Sequence, residues 1–151
     1  MSALTFILVV LVAFIAGVAS VVDERQFHRP LVACTLMGFA LGDPTAGIML
    51  GGALELIALG WMNVGAAMAP DSALASTISA VVVIQGHQDI TTGIAIAVPL
   101  AAAGQVLTIF VRTITVFFQH QADNFAKTAN FRGIELMHIS GMALQGLRVA
   151  I

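Results

Sequence analysis

Glu55, Asn63 and Asp71 stand in the stretch from Gly47 to Ala75, which is otherwise built mostly from Ala, Gly, Leu, Ile and Met. A carboxylate near the centre of a bilayer costs roughly 2.5 to 3.5 kcal/mol on insertion scales, so Glu55 and Asp71 are expected to face protein, water or a ligand. Polar groups clustered with short glycine-interrupted segments point to a transporter's binding site. The chemistry this set suits is sugar binding. Each hydroxyl of a sugar donates and accepts, and carboxylates and amides satisfy it in pairs. Bonds to an ionised partner are the stronger kind. Trp61 is placed either to stack on a sugar's apolar face or to pack at the membrane interface. Both acids also have a structural alternative: Glu55 as half of an ion pair with a residue such as Arg112, and Asp71 as cap of the helix that follows it. Their separation across an irregular segment predicts no acid–base geometry.

The elements that must position these groups are membrane helices. The chain has 151 residues, 59% hydrophobic and 9% charged, with mean hydropathy +0.99, whereas soluble domains carry about 25% charged residues. A formal charge of −2 without any basic patch excludes a nucleic-acid surface. There is no Gly-Lys-Ser/Thr phosphate loop and no Gly-x-Ser-x-Gly elbow. His28, His87, His120 and His138 are too dispersed for a metal cluster. No catalytic residue, metal or cofactor is expected. Cys34, the single cysteine, reads as a small packing residue.

In chain order, Ser2 to Val22 is long enough to cross a hydrocarbon core, and it lacks the charged start and cleavage site of a removable signal peptide. The polar cluster from Asp23 to Arg29 before Pro30 predicts a turn. Leu31 to Gly42 and Pro44 to Leu54 are each too short to span, so they are expected to form a helical hairpin about Asp43-Pro44. The pairs Gly38/Gly42 and Gly47/Gly51 offer small-residue faces for close helix approach, and Glu55 continues the second series into the bundle. Gly60 to Pro70 predicts unwound backbone at membrane depth. The helix after Asp71 then carries Ser72, Ser76 and Ser79 on one side.

After a loop over Gln85 to Asp89, a long helix is expected from Gly93 to about Gln121, with Pro99 inside it. Gln105, Thr108, Arg112, Thr115 and Gln119 recur at steps of three and four, a polar stripe facing protein or water. Arg112 is expected either to balance a buried carboxylate or to snorkel at the helix end. Residues 119–135 read as a polar loop or surface helix, with Lys127 and Arg132 favouring the cytoplasmic side. From Leu136 a further apolar segment begins, with His138, Gly141, Gln145 and Arg148 on one face. The fold class is thus an all-α polytopic membrane protein, a single membrane domain over residues 1–151 with short or broken helices, a hairpin and unwound intramembrane backbone.

Several motifs are specific enough to carry a resemblance. Asp23-Glu24-Arg25-Gln26-Phe27-His28-Arg29-Pro30, the run from Gly51 to Ala67 around Glu55 and Trp61-Met62-Asn63, Ala69-Pro70-Asp71, Pro99 to Gln105, and Arg112-Thr113 together resemble the enzyme IIC subunit of the mannose-family (mannose, fructose, sorbose) bacterial phosphotransferase system. The resemblance implies a sugar permease subunit of the bacterial cytoplasmic membrane. It would work in an oligomeric complex with a IID membrane partner and soluble IIA and IIB phosphocarriers. A hexose would be bound and moved for 6-phosphorylation, with the phosphoryl-transfer histidines on the soluble partners. By position in the matching motifs it implies Gln26, His28, Glu55, Asn63 and Asp71 as residues lining the sugar path, with Gln105 next. Family members carry further membrane segments, so the chain is expected to be the N-terminal part of such a permease. Two other readings stand beside this one: an ion-coupled transporter or channel using Glu55, Asp71 and Arg112, and a membrane assembly or receptor surface without transport.

Overall fold

The computed structural model describes residues 2–22, 25–65 and 67–151; Asp23 and Glu24 of the polar cluster, and Ala66 of the irregular segment, lie outside the described residues. The helices are α1 (Ala3–Val22), α2 (Pro30–Leu41), α3 (Pro44–Ala58), α4 (Ser72–Gln85), α5 (Ile90–Lys127) and α6 (Phe131–Ala150). Among the described residues there is no β-strand, only an isolated bridge between Val64 and Ala67.

Proline starts both arms of the hairpin. Pro30 and Pro44 sit in the first turns of α2 and α3, where a missing N–H is no loss. Gly42 takes the left-handed conformation (φ 91°) and returns its N–H to the Gly38 carbonyl, which ends α2. Asp43 then accepts the Ala46 N–H at 3.0 Å and opens α3. The expected hairpin forms, with one difference. Gly38, Gly47 and Gly51 meet the facing helix, and a Cβ on Gly51 would come within 2.9 Å of Leu31 Cα. Gly42 has open space around it and serves the turn instead, because its left-handed backbone carries it off the contact face.

The hairpin packs on α4, which also touches α1, α5 and α6. Ala33, Cys34, Met37, Leu50, Ala73, Ala80, Ala97 and Ala101 are wholly shielded, so small residues set the close approach of the helices. The expected polar side of α4 turns inward: Ser76 and Ser79 are buried in this core. Leu4, Phe6, Leu56, Val106, Phe110 and Phe117 are exposed on the outside. Such an apolar exterior suits a lipid solvent, and α1 and α5 are long and apolar enough to cross a bilayer.

The second half departs from expectation in its boundaries. α5 does not stop near Gln121 but continues to Lys127, giving 38 residues and roughly 57 Å of helix at 1.5 Å per residue. No glycine or proline interrupts residues 120–127, so nothing breaks the hydrogen-bond ladder there. The Asn130 side chain accepts the Gly133 N–H at 3.1 Å and opens α6 at Phe131, five residues before Leu136. Residues 119–135 therefore hold the end of one helix, a short turn and the start of the next, rather than a separate surface element.

Candidate functional site

The helices stop where the polar groups begin. Between α3 and α4 the backbone is non-helical, and side chains hold it in place. Asn63 Oδ1 accepts the Ala69 N–H at 2.8 Å. Gln105 Nε2 donates to the Met68 carbonyl at 2.7 Å, and the Asp71 N–H donates to the Ala101 carbonyl at 3.0 Å. The unwound segment is thus tied to α5 at two points, which satisfies backbone groups that lipid would leave unpaired.

Asp71 is the junction of the site. Its Oδ1 accepts the Leu74 N–H at 3.1 Å, so it caps α4 as the sequence allowed. Its Oδ2 forms an ion pair with Arg148 and accepts the Thr108 hydroxyl at 3.2 Å. The Thr108 oxygen in turn accepts from Arg148 Nη1 at 2.6 Å, while Arg148 Nη2 donates to Ser20 Oγ at 3.3 Å. One guanidinium on α6 therefore connects α1, α4 and α5. Both side chains of the pair are almost completely buried, 4% exposed for Asp71 and 2% for Arg148. Removing two charges from water costs several kcal/mol per ion, which the ion pair, the Leu74 N–H and the Thr108 and Ser20 hydroxyls offset, while the buried Arg148 Nε has no hydrogen-bond partner among the described residues. Gly104 makes room for it: a Cβ there would lie 2.7 Å from Asp71 Cβ.

Glu55 has a different partner from the one considered. Arg29 Nε donates to Glu55 Oε1 at 2.6 Å, and the Leu31 N–H reaches Oε2 at 3.2 Å. Arg29, the N-cap of α2, supplies no side-chain cap of its own, so the Glu55 carboxylate from α3 satisfies one of the amides at that helix start. Arg112 forms an ion pair with neither acid among the described residues.

These groups surround an open cavity of about 1160 Å³, somewhat above the range of roughly 300–1,000 Å³ usual for small-molecule sites. Gln26, His28, Asn63 and Asp71 line it. Glu55 and Gln105 stand behind the wall, each bonded to a lining residue, Arg29 and Met68. Trp61 lines it too, half-buried. The far side comes from the α5 stripe (Thr108, Arg112, Thr115, Gln119) and from His138, Gln145 and Arg148 of α6. Sequence reasoning placed Arg148 on a polar helical face but gave it no role. The spacing of His138, Gly141, Gln145 and Arg148 was the available signal, and Asp71 as its partner was not.

Two helices of membrane length, a non-helical segment tied to α5 and a cavity lined by polar and ion-paired groups describe an all-α membrane protein. The chain belongs to the family described as PTS system sorbose-specific IIC component (EII-Sor), whose pattern matches residues 3–151. It is 65% identical to the sorbose-specific EIIC component of Klebsiella pneumoniae over 150 residues, covering 99% of this chain and 56% of the relative. Against the mannose-specific EIIC component of Escherichia coli (strain K12) the identity is 63% over 98% of this chain and 56% of the relative. The cryoEM structure of the mannose transporter ManYZ in complex with microcin E492 superposes with a TM-score of 0.96 at 61% identity, over 99% of this chain and 60% of that one. The chain thus spans about half the length of the curated relatives it matches. The family resemblance read from the motifs is borne out.

Proposed function

We propose that this chain forms part of a IIC sugar permease of a phosphoenolpyruvate-dependent phosphotransferase system, built into a bacterial cytoplasmic membrane as a multi-pass subunit. It binds a hexose in the cavity beside the unwound segment and moves it toward soluble IIA and IIB partners for 6-phosphorylation, alongside a IID membrane subunit. The observation that carries this reading is the cavity itself, in which the polar side chains of Gln26, His28, Asn63 and Asp71 converge on one space within an apolar bundle. Support also comes from relatives whose names specify sorbose, fructose and mannose.

Asp71 is proposed to meet the sugar with the lone pairs not used by Leu74, Thr108 and Arg148. Asn63 and Gln105 hold the loop that presents it. Glu55 acts at one remove, fixing Arg29 in the cavity wall. The test is hexose uptake by the full-length protein reconstituted with its IID, IIA and IIB partners and phosphoenolpyruvate. Asp71→Asn is expected to abolish uptake while the protein still inserts, and Glu55→Gln to reduce it about tenfold, the scale of a lost charge-assisted contact. Wild-type uptake by Asp71→Asn would remove the site assignment. Uptake that follows an ion gradient without the phosphocarriers would replace the function with ion-coupled transport.

A further inference from the structure

A second concavity lies along α1 and shares no lining residue with the polar cavity. It is a groove of about 250 Å³ formed on the helix by Phe14, Ile15, Val18, Ala19 and Val22. Beyond the helix end, Arg25 and Phe27 complete its lining. Ala19 is the smallest of these side chains. Phe14 and Val18 rest on Gly146 of α6, where an added Cβ would come within 2.6 and 2.8 Å of them, so packing fixes one wall.

The position of the groove along α1 is informative. The helix has 20 residues, roughly 30 Å at 1.5 Å per residue, which is the thickness of a hydrocarbon core. When it crosses the bilayer, its middle near Val12 and Ala13 lies at the midplane and Val22 at the headgroup boundary. The groove runs from Phe14 to Val22, about 12 Å along the axis. It therefore occupies one leaflet, from the midplane to the boundary, and Arg25 stands at its polar end. Arg25 is exposed and has no hydrogen bond or ion pair among the described residues.

An apolar hollow facing lipid is filled by acyl chains, because an empty gap forfeits the dispersion contacts of its lining. Its volume is below the roughly 300–1,000 Å³ of small-molecule sites and suits one extended chain. A guanidinium is a planar fork that matches phosphate oxygens in pairs. With Asp23 and Glu24 before it in sequence, Arg25 makes no basic patch. Recognition then rests on the fork joined to the slot, not on net charge. We propose that this groove is a phospholipid site, in which one acyl chain lies along residues 14–22 and the phosphate diester meets Arg25.

The experiment places the full-length protein in nanodiscs of phosphatidylethanolamine and phosphatidylglycerol. These carry a trace of phosphatidylglycerol with a diazirine at mid-chain, or of diacylglycerol with the same chains. Photolysis, proteolysis and mass spectrometry then read the labelled residues. In wild type the phospholipid is expected to label residues 14–22 about fivefold more than diacylglycerol does, the scale of one basic side chain at a lipid surface. Arg25→Gln should bring phospholipid labelling there down to the diacylglycerol level. Val22→Trp, at an exposed position, should block the groove and reduce labelling by both probes, while the exposed Leu8 and Leu11 keep theirs in every variant. Equal labelling by the two probes in wild type, or unchanged phospholipid labelling in either variant, overturns the proposal. So does an unlabelled 14–22 stretch beside labelled Leu8 and Leu11, the result expected where a protein segment covers the groove.

Discussion

Glu55 and Asp71 are both carboxylates in an apolar helical chain, and both rest against an arginine, yet the two pairs do different things. Glu55 and Arg29 retain 18% and 36% of their side-chain exposure and join the start of α2 to α3 within one hairpin. Asp71 and Arg148 retain 4% and 2% and join the start of α4 to α6 across the bundle, with Thr108 and Ser20 also accepting from the guanidinium. The first pair is local and partly hydrated, so water can replace either partner. The second is almost wholly buried, so each charge depends heavily on the other.

The largest expected effect follows from that dependence. Arg148→Met leaves Asp71 buried with no cation and should destabilise the protein by about 3 to 5 kcal/mol, read as thermal unfolding of the detergent-solubilised full chain. Adding Asp71→Asn to that variant should recover much of the loss. If the double variant is no better than the single, the two residues are not coupled and the contrast collapses.

Next in size is Gly104→Ala. Its new Cβ would meet Asp71 Cβ at 2.7 Å, and such overpacking costs about 1 to 3 kcal/mol. Because it moves Asp71 without removing a polar group, sugar-induced thermal stabilisation should fall with it. Normal stabilisation would mean that the position of Asp71 is not critical to binding.

Thr108→Val keeps the shape and removes the hydroxyl that accepts from Arg148 and donates to Asp71 or to the Gly104 carbonyl. A loss of about 1 kcal/mol is expected in chemical denaturation, the net worth of a buried hydrogen bond. The smallest change belongs to the exposed pair: Arg29→Ala should cost no more than about 1 kcal/mol and lose most of that in high salt. A salt-independent loss as large as that of Arg148→Met would erase the distinction between the pairs.

Much of this architecture was legible before any coordinates. Pro30, Asp43-Pro44 and Asp71 mark helix starts because a missing N–H and a short acceptor side chain act within one turn of chain. The unwound segment after Gly60 was legible for the same local reason. Helix ends without such punctuation were not: nothing near Gln121 stops α5, and a cluster of polar residues is as compatible with a helix as with a loop. The stripe from Gln105 to Gln119 was expected to face protein or water; Thr108, Arg112, Thr115 and Gln119 line the cavity and Gln105 bonds the Met68 carbonyl, since helical periodicity fixes which residues share a side.

Sequence by itself determined the membrane class, the hairpin, the unwound backbone, the family and the set of polar residues too expensive to face lipid. All of these depend on composition or on neighbours a few residues apart. Only the tertiary structure decided who pairs with whom. Asp71 meets Arg148 and Glu55 meets Arg29 across long sequence separations, and Arg112, the arginine first considered for Glu55, is left facing the cavity. Charge attracts without regard to position in the chain, so the choice among three arginines is made by how the helices pack and which guanidinium that packing delivers to each buried carboxylate.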